Sequence, residues 1–219
     1  MNQRTRIKIC GLIREDDVDA AVRAGADAIG LVFYERSPRC VGVERAAALA
    51  RGLPPYVTPV GLFVNAAPGL IDEAIAAVPQ LVLQFHGDEN AAQCRAAGRA
   101  YLRAARMGAT LDLLDFVADY PDAQGLLLDA HVEGYGGGGK VFDWSLIPRN
   151  VPLPVVLSGG LHAGNVIEGI LQVRPWAVDV SSGVESAKGI KDARAIRRFC
   201  EAVRQADALV AERHPASEA

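Results

Sequence analysis

Two glycine-containing segments of this 219-residue chain have the composition of an anion-binding turn. Residues 158–160 are Ser-Gly-Gly and residues 181–183 are Ser-Ser-Gly, and each segment follows an apolar run. Backbone N–H groups exposed at such turns, near the start of a helix, bind phosphate and other anions. Glycines also make ordinary tight turns, so one segment alone would be weak support. Two comparable segments favour a phosphate site formed by the backbone at 158–160 and 181–183.

Cys10 and Asp129, two side chains that could transfer protons, each end an apolar run. A carboxylate that follows the leucines at 126–128 must either lie at the solvent-exposed end of the strand or have a specific hydrogen-bond or charge partner. A lone cysteine at the end of a strand is most often a small buried apolar residue, and the residues alone favour that interpretation for Cys10. In the functional interpretation, Asp129 is a general acid and Cys10 a base whose thiolate a positive neighbour would favour.

Eight short apolar runs must position these side chains. They recur about every 20–30 residues, which is the length of a βα unit. Nearly continuous apolar character, as at 155–157, is typical of parallel strands that are buried on both faces. Apolar residues at helical spacing lie between the runs, as at 71–78 and 196–203. The predicted strands are 7–10, 28–33, 59–64, 81–85, 101–105, 125–129, 154–157 and 177–180.

This alternation predicts the α/β class and a single (β/α)8 TIM barrel over residues 1–219, with an open doubly wound sheet as the alternative. The barrel is favoured because polar residues lie at the ends of predicted strands, and in a barrel those ends converge on one face. We expect only a short helix within 143–150 and a frayed tail from about Glu212. The polar residues at strand ends are Cys10, Asn65, His86, Asp129, Ser158 and Ser181.

Composition excludes several classes of protein. Half of the residues are hydrophobic and 22% are charged, as in an ordinary globular protein, and the net charge of -3 does not favour nucleic acid or an anionic membrane as a partner. No apolar run approaches the roughly 18–20 residues of a membrane span. No metal site is predicted, because no cysteine has metal-ligand spacing. Free thiols and the lack of a signal-peptide pattern predict a cytoplasmic protein. The cysteines are Cys10, Cys40, Cys94 and Cys200.

A set of motifs occurs in order between about residues 6 and 200. The motifs are Lys-Ile-Cys-Gly at 8–11, Gly-Ala-Asp-Ala at 25–28, Phe-Tyr to Ser-Pro-Arg at 33–39, Leu-Asp with a glycine-rich loop to Phe-Asp-Trp at 128–144, Leu-Ser-Gly-Gly-Leu at 157–161 and Val-Asp-Val-Ser-Ser-Gly-Val-Glu at 178–185. A phosphate-binding segment alone would match many barrels, but this combination is specific. On these motifs the chain resembles the phosphoribosylanthranilate isomerase family.

The resemblance implies a (β/α)8 barrel of tryptophan biosynthesis that uses no cofactor. Its reaction is the Amadori rearrangement of N-(5-phosphoribosyl)anthranilate to 1-(2-carboxyphenylamino)-1-deoxyribulose 5-phosphate. The implied partner is a small phosphorylated substrate, with neither nucleic acid nor a membrane. Family members are monomers or homodimers, and no feature of this sequence distinguishes the two states.

The resemblance also implies roles for individual residues. Asp129 matches the general acid that protonates the ribose ring oxygen, and Cys10 matches the general base that removes the proton from C2. Arg39 matches the residue that binds the anthranilate carboxylate, whereas Arg36 is interpreted as a surface charge. For Asp179 the resemblance leaves two roles open, either contact with the substrate or ordering of the neighbouring loops. The backbone of the phosphate site is carried over to Gly159, Gly160, Ser182 and Gly183.

Other family positions are less decisive. Gln84 and His86 lie in a family segment, and a structural or supporting role is favoured for His86. The glycine-rich segment 135–140 is either a lid over substrate or a surface connection. The chain departs from the family pattern at Ile13, Gly138 and Val141, where family members often carry threonine or, at the first position, another polar residue.

Two alternative functions remain. The histidine-pathway phosphoribosyl isomerase performs the same chemistry with two aspartates, and Cys10 in place of the first aspartate counts against it. A phosphate-binding barrel without catalysis is compatible with the fold, because fold does not fix function. The presence of Cys10, Asp129 and Arg39 counts against that alternative.

Overall fold

Eight parallel strands close into a barrel in the order β1 to β8 in the computed structural model, which describes residues 4–108, 110–130 and 141–213. Each strand pairs in parallel with the next, and β8 pairs with β1. This confirms the predicted TIM barrel and excludes the open sheet. The strands are β1 Arg6–Cys10, β2 Ala28–Phe33, β3 Thr58–Phe63, β4 Val82–Phe85, β5 Tyr101–Met107, β6 Gly125–Ala130, β7 Val155–Leu157 and β8 Ala177–Val180.

Helices connect the strands on the outside of the barrel. They are α1 Glu15–Ala24, α2 Val43–Arg51, α3 Pro68–Ala77, α4 Ala91–Ala96, α5 Leu113–Ala118, α6 Val166–Val173 and α7 Ala193–Arg213. The described part of 143–150 contains one short 3-10 turn, Trp144–Leu146, as the sequence predicts. A second 3-10 turn, Ser182–Val184, follows β8 and leads into an antiparallel hairpin of β9 Glu185–Ala187 and β10 Ile190–Lys191.

The first helix begins and ends as its charges and glycine predict. Acidic residues occupy its first turn, where they interact favourably with the helix dipole. Gly25 ends it in the left-handed conformation, at φ 88°. The N-cap residue is Arg14, so a hydroxyl at position 13 would lie outside the cap. The departure from the family pattern at Ile13 therefore leaves the N-cap position of this helix unchanged.

The barrel strands are buried on both faces. Ile7 and Ile9 of β1 face outward and pack with the helices in the main hydrophobic cluster. A small interior cluster consists of Ala104, Leu127, Val156 and Ala177, from the last four strands. Side chains alternate between the two faces of a strand, so residues two positions further along each strand also point into the barrel. In the described residues, no helix is long and apolar enough to cross a membrane.

Candidate active site

The carboxyl ends of the strands bring the predicted acid and base to the interior of one barrel face. Asp129 lies two residues after the interior residue Leu127 on β6, and Asp179 lies two residues after Ala177 on β8. Cys10 ends β1 and lies on the same side of that strand as Lys8, opposite to Ile7 and Ile9. The alternation of side chains therefore turns Cys10, Asp129 and Asp179 inward near this face.

Asp129 is paired rather than solvated, which is one of the two environments that the sequence allows. Its Oδ1 accepts the backbone N–H of Ala130 at 2.9 Å, and its Oδ2 lies 3.2 Å from Nε2 of His86. The residue is only 9% exposed. His86 thus contacts the predicted acid directly, and its position at the end of β4 is the sequence signal that indicates this.

Gln84 connects to the same carboxyl through His86. Its Nε2 lies 3.2 Å from Nδ1 of the imidazole, and its Oε1 is buried with no hydrogen-bond partner in the described residues. If Nε2 of Gln84 donates to Nδ1, a neutral imidazole carries its proton on Nε2 and donates it to Oδ2 of Asp129. A half-turn of the amide would let Oε1 accept from Nδ1–H, so that Nε2 could accept from a protonated Asp129. Gln84 and His86 can therefore form hydrogen bonds with Asp129 in both its protonated and its ionised state, as a general acid requires.

Cys10 lies in a buried charged environment. Burial raises the pKa of its thiol, Lys8 and Lys191 lower it, and Asp179 adds to the increase. The expectation that a positive neighbour favours the thiolate agrees with the effect of both lysines, although burial keeps the pKa of the thiol above its ordinary value. The cations are present, but burial outweighs them and the thiol is the preferred form at neutral pH.

Lys8 and Asp179 form a buried ion pair across the seam between the first and last strands. They are register partners on β1 and β8, and Nζ donates to Oδ1 at 3.0 Å. Burial alone would lower the pKa of Lys8, but the attraction of Asp179 and Cys10 raises it overall. Sequence reasoning missed Lys8, although a lysine within an apolar strand is a signal, because a buried charge requires a partner.

Arg39 lies in the segment between β2 and α2 and is held by a residue that sequence reasoning did not select. Its Nε and Nη2 donate to the two carboxylate oxygens of Glu185 at 2.7 and 2.8 Å. Nζ of Lys191 donates to the same carboxylate at 2.8 Å. Arg36 is exposed, as expected for a surface charge. Glu185 ends the Val-Asp-Val-Ser-Ser-Gly-Val-Glu motif, which is the signal that could have identified it.

The turns that follow β7 and β8 approach each other closely at Leu161 and Gly183. Gly159 and Gly160 follow β7 with φ values of 79° and 65°, and Ser182 and Gly183 follow β8 in the 3-10 turn. A Cβ atom on Gly183 would overlap the carbonyl oxygen of Leu161. The turns after β7 and β8 thus form one continuous backbone surface, the usual place for a phosphate in such barrels.

Other predicted positions contribute less. The glycine-rich segment 135–140, with Gly138, lies outside the described residues, and Val141 is exposed. All four cysteines are free, and Cys94 and Cys200 are fully buried while Cys40 is half-buried. Within 4–108, 110–130 and 141–213, no group of three His, Cys, Asp or Glu side chains is arranged to hold a metal ion.

Comparisons with known proteins show the family of the chain. Residues 7–202 match the family model described as N-(5'phosphoribosyl)anthranilate isomerase. A relative from Methylibium petroleiphilum, named N-(5'-phosphoribosyl)anthranilate isomerase, is 73% identical over 95% of this chain and 98% of its own length. A relative of the same name from Dechloromonas aromatica is 63% identical over 93% of this chain and 98% of its own length.

Solved structures agree as well. Phosphoribosyl anthranilate isomerase from Thermotoga maritima is 40% identical, with a TM-score of 0.85 over 92% of this chain and 99% of its own. Another phosphoribosyl anthranilate isomerase, solved in complex with reduced 1-(o-carboxyphenylamino)-1-deoxyribulose 5-phosphate, is 37% identical, with a TM-score of 0.82 over the same shares of the two chains. From its sequence, its closed barrel and these matches, the chain belongs to the phosphoribosylanthranilate isomerase family.

Proposed function

We propose that this protein isomerises N-(5-phosphoribosyl)anthranilate to 1-(2-carboxyphenylamino)-1-deoxyribulose 5-phosphate, with Asp129 as general acid and Cys10 as general base. One observation carries the proposal: the two groups lie at the interior of the barrel face at which the turns after β7 and β8 meet. Family membership supports the reaction. The geometry supports the division of roles, because acid and base come from different strands and can act on different atoms of the sugar.

Asp129 acts first, on the ribose ring oxygen. It transfers its proton to that oxygen as the bond to C1 breaks, and the nitrogen lone pair forms a double bond to C1. The product is a positively charged Schiff base. The ionised Asp129 left behind is stabilised by the N–H of Ala130 and by His86, both within 3.2 Å of its oxygens.

Cys10 acts next, on the sugar C2. The positive charge at the neighbouring carbon makes the C2–H bond acidic, so a modest base is sufficient. The thiolate takes this proton, the C–H electrons form a double bond between C1 and C2, and the electrons of the C1–N double bond return to nitrogen. The resulting enamine tautomerises to the ketone. One proton is given and one is taken, so the reaction needs no net proton from the solvent. Lys8 and Lys191 favour the thiolate that this step requires.

A coupled fluorescence assay tests the reaction. The substrate is generated from anthranilate and phosphoribosyl pyrophosphate with a transferase, and the product is converted by indole-glycerol-phosphate synthase. Indole-glycerol phosphate is expected only when this protein is added. Binding of the substrate without product from folded protein would instead support a phosphate-binding barrel without catalysis.

Arg39 is proposed to bind the anthranilate carboxylate. Replacing Arg39 by Ala is expected to raise KM by about tenfold or more, because a charge-assisted hydrogen bond to the carboxylate is lost. The matched control is Arg36→Ala, which removes an exposed arginine three residues earlier. The measurement is KM for the substrate and for its counterpart made from aniline, which lacks the carboxylate. A variant that lost affinity only for the aniline compound would contradict the assignment.

The turns at 158–160 and 181–183 are proposed to bind the phosphate. The substitution Gly183→Ala should weaken inhibition by inorganic phosphate by about tenfold, because the added Cβ forces the turn away from the Leu161 carbonyl. Gly69→Ala is the control, since a Cβ there meets nothing within 4 Å. Equal inhibition constants for the two variants would place the phosphate elsewhere.

The wider setting is also proposed. We expect one barrel domain over the whole chain, working as a monomer or a homodimer, with no nucleic acid or membrane partner. A cytoplasmic location is supported by the four free thiols.

A further inference from the structure

Glu185 is a buried carboxylate that holds two cations at once. The side chain is 6% exposed, against 10% for Arg39 and 0% for Lys191. Oε1 accepts from both cations, and Oε2 accepts from Arg39 alone. Burial would raise the pKa of Glu185, but hydrogen bonds and attraction from Arg39 and Lys191 lower it overall, so the carboxylate is ionised.

We propose that Glu185 is a positioning residue that sets the selectivity of the site for a substrate with an aromatic carboxylate, by fixing Arg39 in the orientation that binds it. This inference rests on the proposed function, in which Arg39 binds the anthranilate end of the substrate. Glu185 occupies the Nε–Nη2 edge of the guanidinium. Within the described residues Nη1 has no hydrogen-bond partner, so the end of the guanidinium that carries Nη1 is available to a ligand.

The arginine is confined on a second side as well. The position of Cβ at Gly11 is filled by the aliphatic stem of Arg39, which the missing side chain of Gly11 allows to approach the backbone. Gly11 directly follows Cys10, so the guanidinium is held at a fixed position relative to the proposed base. An arginine held along one edge and along its stem loses little further freedom when it binds a ligand.

The charges of the cluster favour an anionic ligand. Arg39 and Lys191 contribute two positive charges and Glu185 one negative charge, which leaves a surplus of one positive charge in a buried place. A carboxylate on the ligand balances this surplus, whereas a neutral ring leaves it uncompensated. The cluster therefore distinguishes the two ligands by charge as well as by hydrogen bonding.

Lys191 connects the cluster to the backbone beside the proposed base and phosphate site. Its Nζ donates to the carbonyl oxygen of Ser181 at 3.0 Å, and the Ser181 hydroxyl donates to the Cys10 carbonyl at 3.1 Å. Glu185 is thus joined through Arg39 to the carboxylate end of the substrate and through Lys191 to the turn at 181–183. Arg39, which is proposed to bind the carboxylate on the ring, is thus held at a set distance from the turn that is proposed to bind the phosphate.

Two substitutions test the proposal. Glu185→Gln replaces one acceptor oxygen by an N–H donor that would face a donor, and Glu185→Asp keeps the charge but shortens the reach. For both, we measure KM and kcat for the anthranilate substrate and for its aniline counterpart, and the inhibition constant of inorganic phosphate. The control is Glu15→Gln, which removes a carboxylate that pairs with Arg45 on the surface.

We expect Glu185→Gln to lower the preference for the carboxylate-bearing substrate by about tenfold, chiefly through KM, with phosphate inhibition changed less than about threefold. Glu185→Asp should fold because it keeps the buried charge, and it should lower the preference by a smaller factor. If Glu185→Gln does not fold, the aspartate variant decides. An unchanged preference for the carboxylate-bearing substrate in the folded variants would overturn the proposal. Equal losses of affinity for both substrates and for phosphate would also overturn it.

The same measurements separate this inference from the proposed function. If Arg39→Ala leaves the preference unchanged, the assignment of Arg39 fails and the role of Glu185 fails with it. If Arg39→Ala removes the preference and the Glu185 variants keep it, only the inference about Glu185 fails.

Discussion

Replacing Asp129 by Asn is expected to lower kcat by roughly 10²–10⁴-fold, the usual range for a lost acid or base. The amide has the shape of the carboxyl and can still accept the N–H of Ala130, so the end of β6 should keep its position. It has no proton to give to the ring oxygen, and the ring opens only as fast as water can supply one. The substrate should bind nearly as well as before, because the phosphate and carboxylate contacts are intact.

The coupled assay measures this effect, and thermal unfolding shows whether the variant keeps its stability. Asp19→Asn is the matched control, since Asp19 lies exposed on α1. His86→Gln gives a second comparison, with a smaller expected loss because it removes a neighbour of the acid and leaves the acid itself. Unchanged turnover in Asp129→Asn would remove this residue from the mechanism.

Replacing Cys10 by Ala should be comparably damaging to kcat, again by roughly 10²–10⁴-fold, with little change in KM. The side chain is almost fully buried in a polar setting, and its removal leaves the Schiff base with nothing to take the C2 proton. Cys94→Ala and Cys200→Ala are matched controls, because both thiols are buried in the core and burial raises the pKa of each to about 11. These controls should alter thermal stability and leave turnover intact.

The pH dependence gives a second measurement on Cys10. Because its thiol pKa is raised above the ordinary value, the thiolate fraction should still be increasing at pH values above about 8.5. The wild-type pH profile should therefore change slope over this range, and the profile of the residual rate of Cys10→Ala should lack that change. If Cys10→Ala changed only the unfolding temperature, the cysteine would be a core residue, as the residues alone suggest.

Much of the fold could be predicted because short runs of apolar residues in the sequence indicate buried strands. The apolar runs at 28–33 and 177–180 coincide with β2 and β8, and Gly25 ends the first helix as expected. Members of the candidate site could be placed from the sequence where they lie at the carboxyl end of a strand, which holds for Cys10 and Asp129. Their positions depend only on closure of the barrel.

The charged partners could not be predicted in the same way. Glu185 meets Arg39 across 146 residues of sequence, and Lys8 meets Asp179 across 171 residues. Which cation meets which carboxylate depends on the register of β1 against β8 and on the path of two loops, and none of this is local. The pKa of Cys10 is harder still, because it is the difference between a large burial effect and opposing charges that only the packed structure supplies.

The ion pair between Lys8 and Asp179 constrains the order in which β1 and β8 can become buried. Lys8 is synthesised 171 residues before its counter-ion. Until β8 has been made, Lys8 has no carboxylate to accompany it into the interior, and burying it alone would cost several kcal/mol. We therefore expect β1 to become buried only after β8 has been made, so that Cys10 acquires its charged surroundings at that stage.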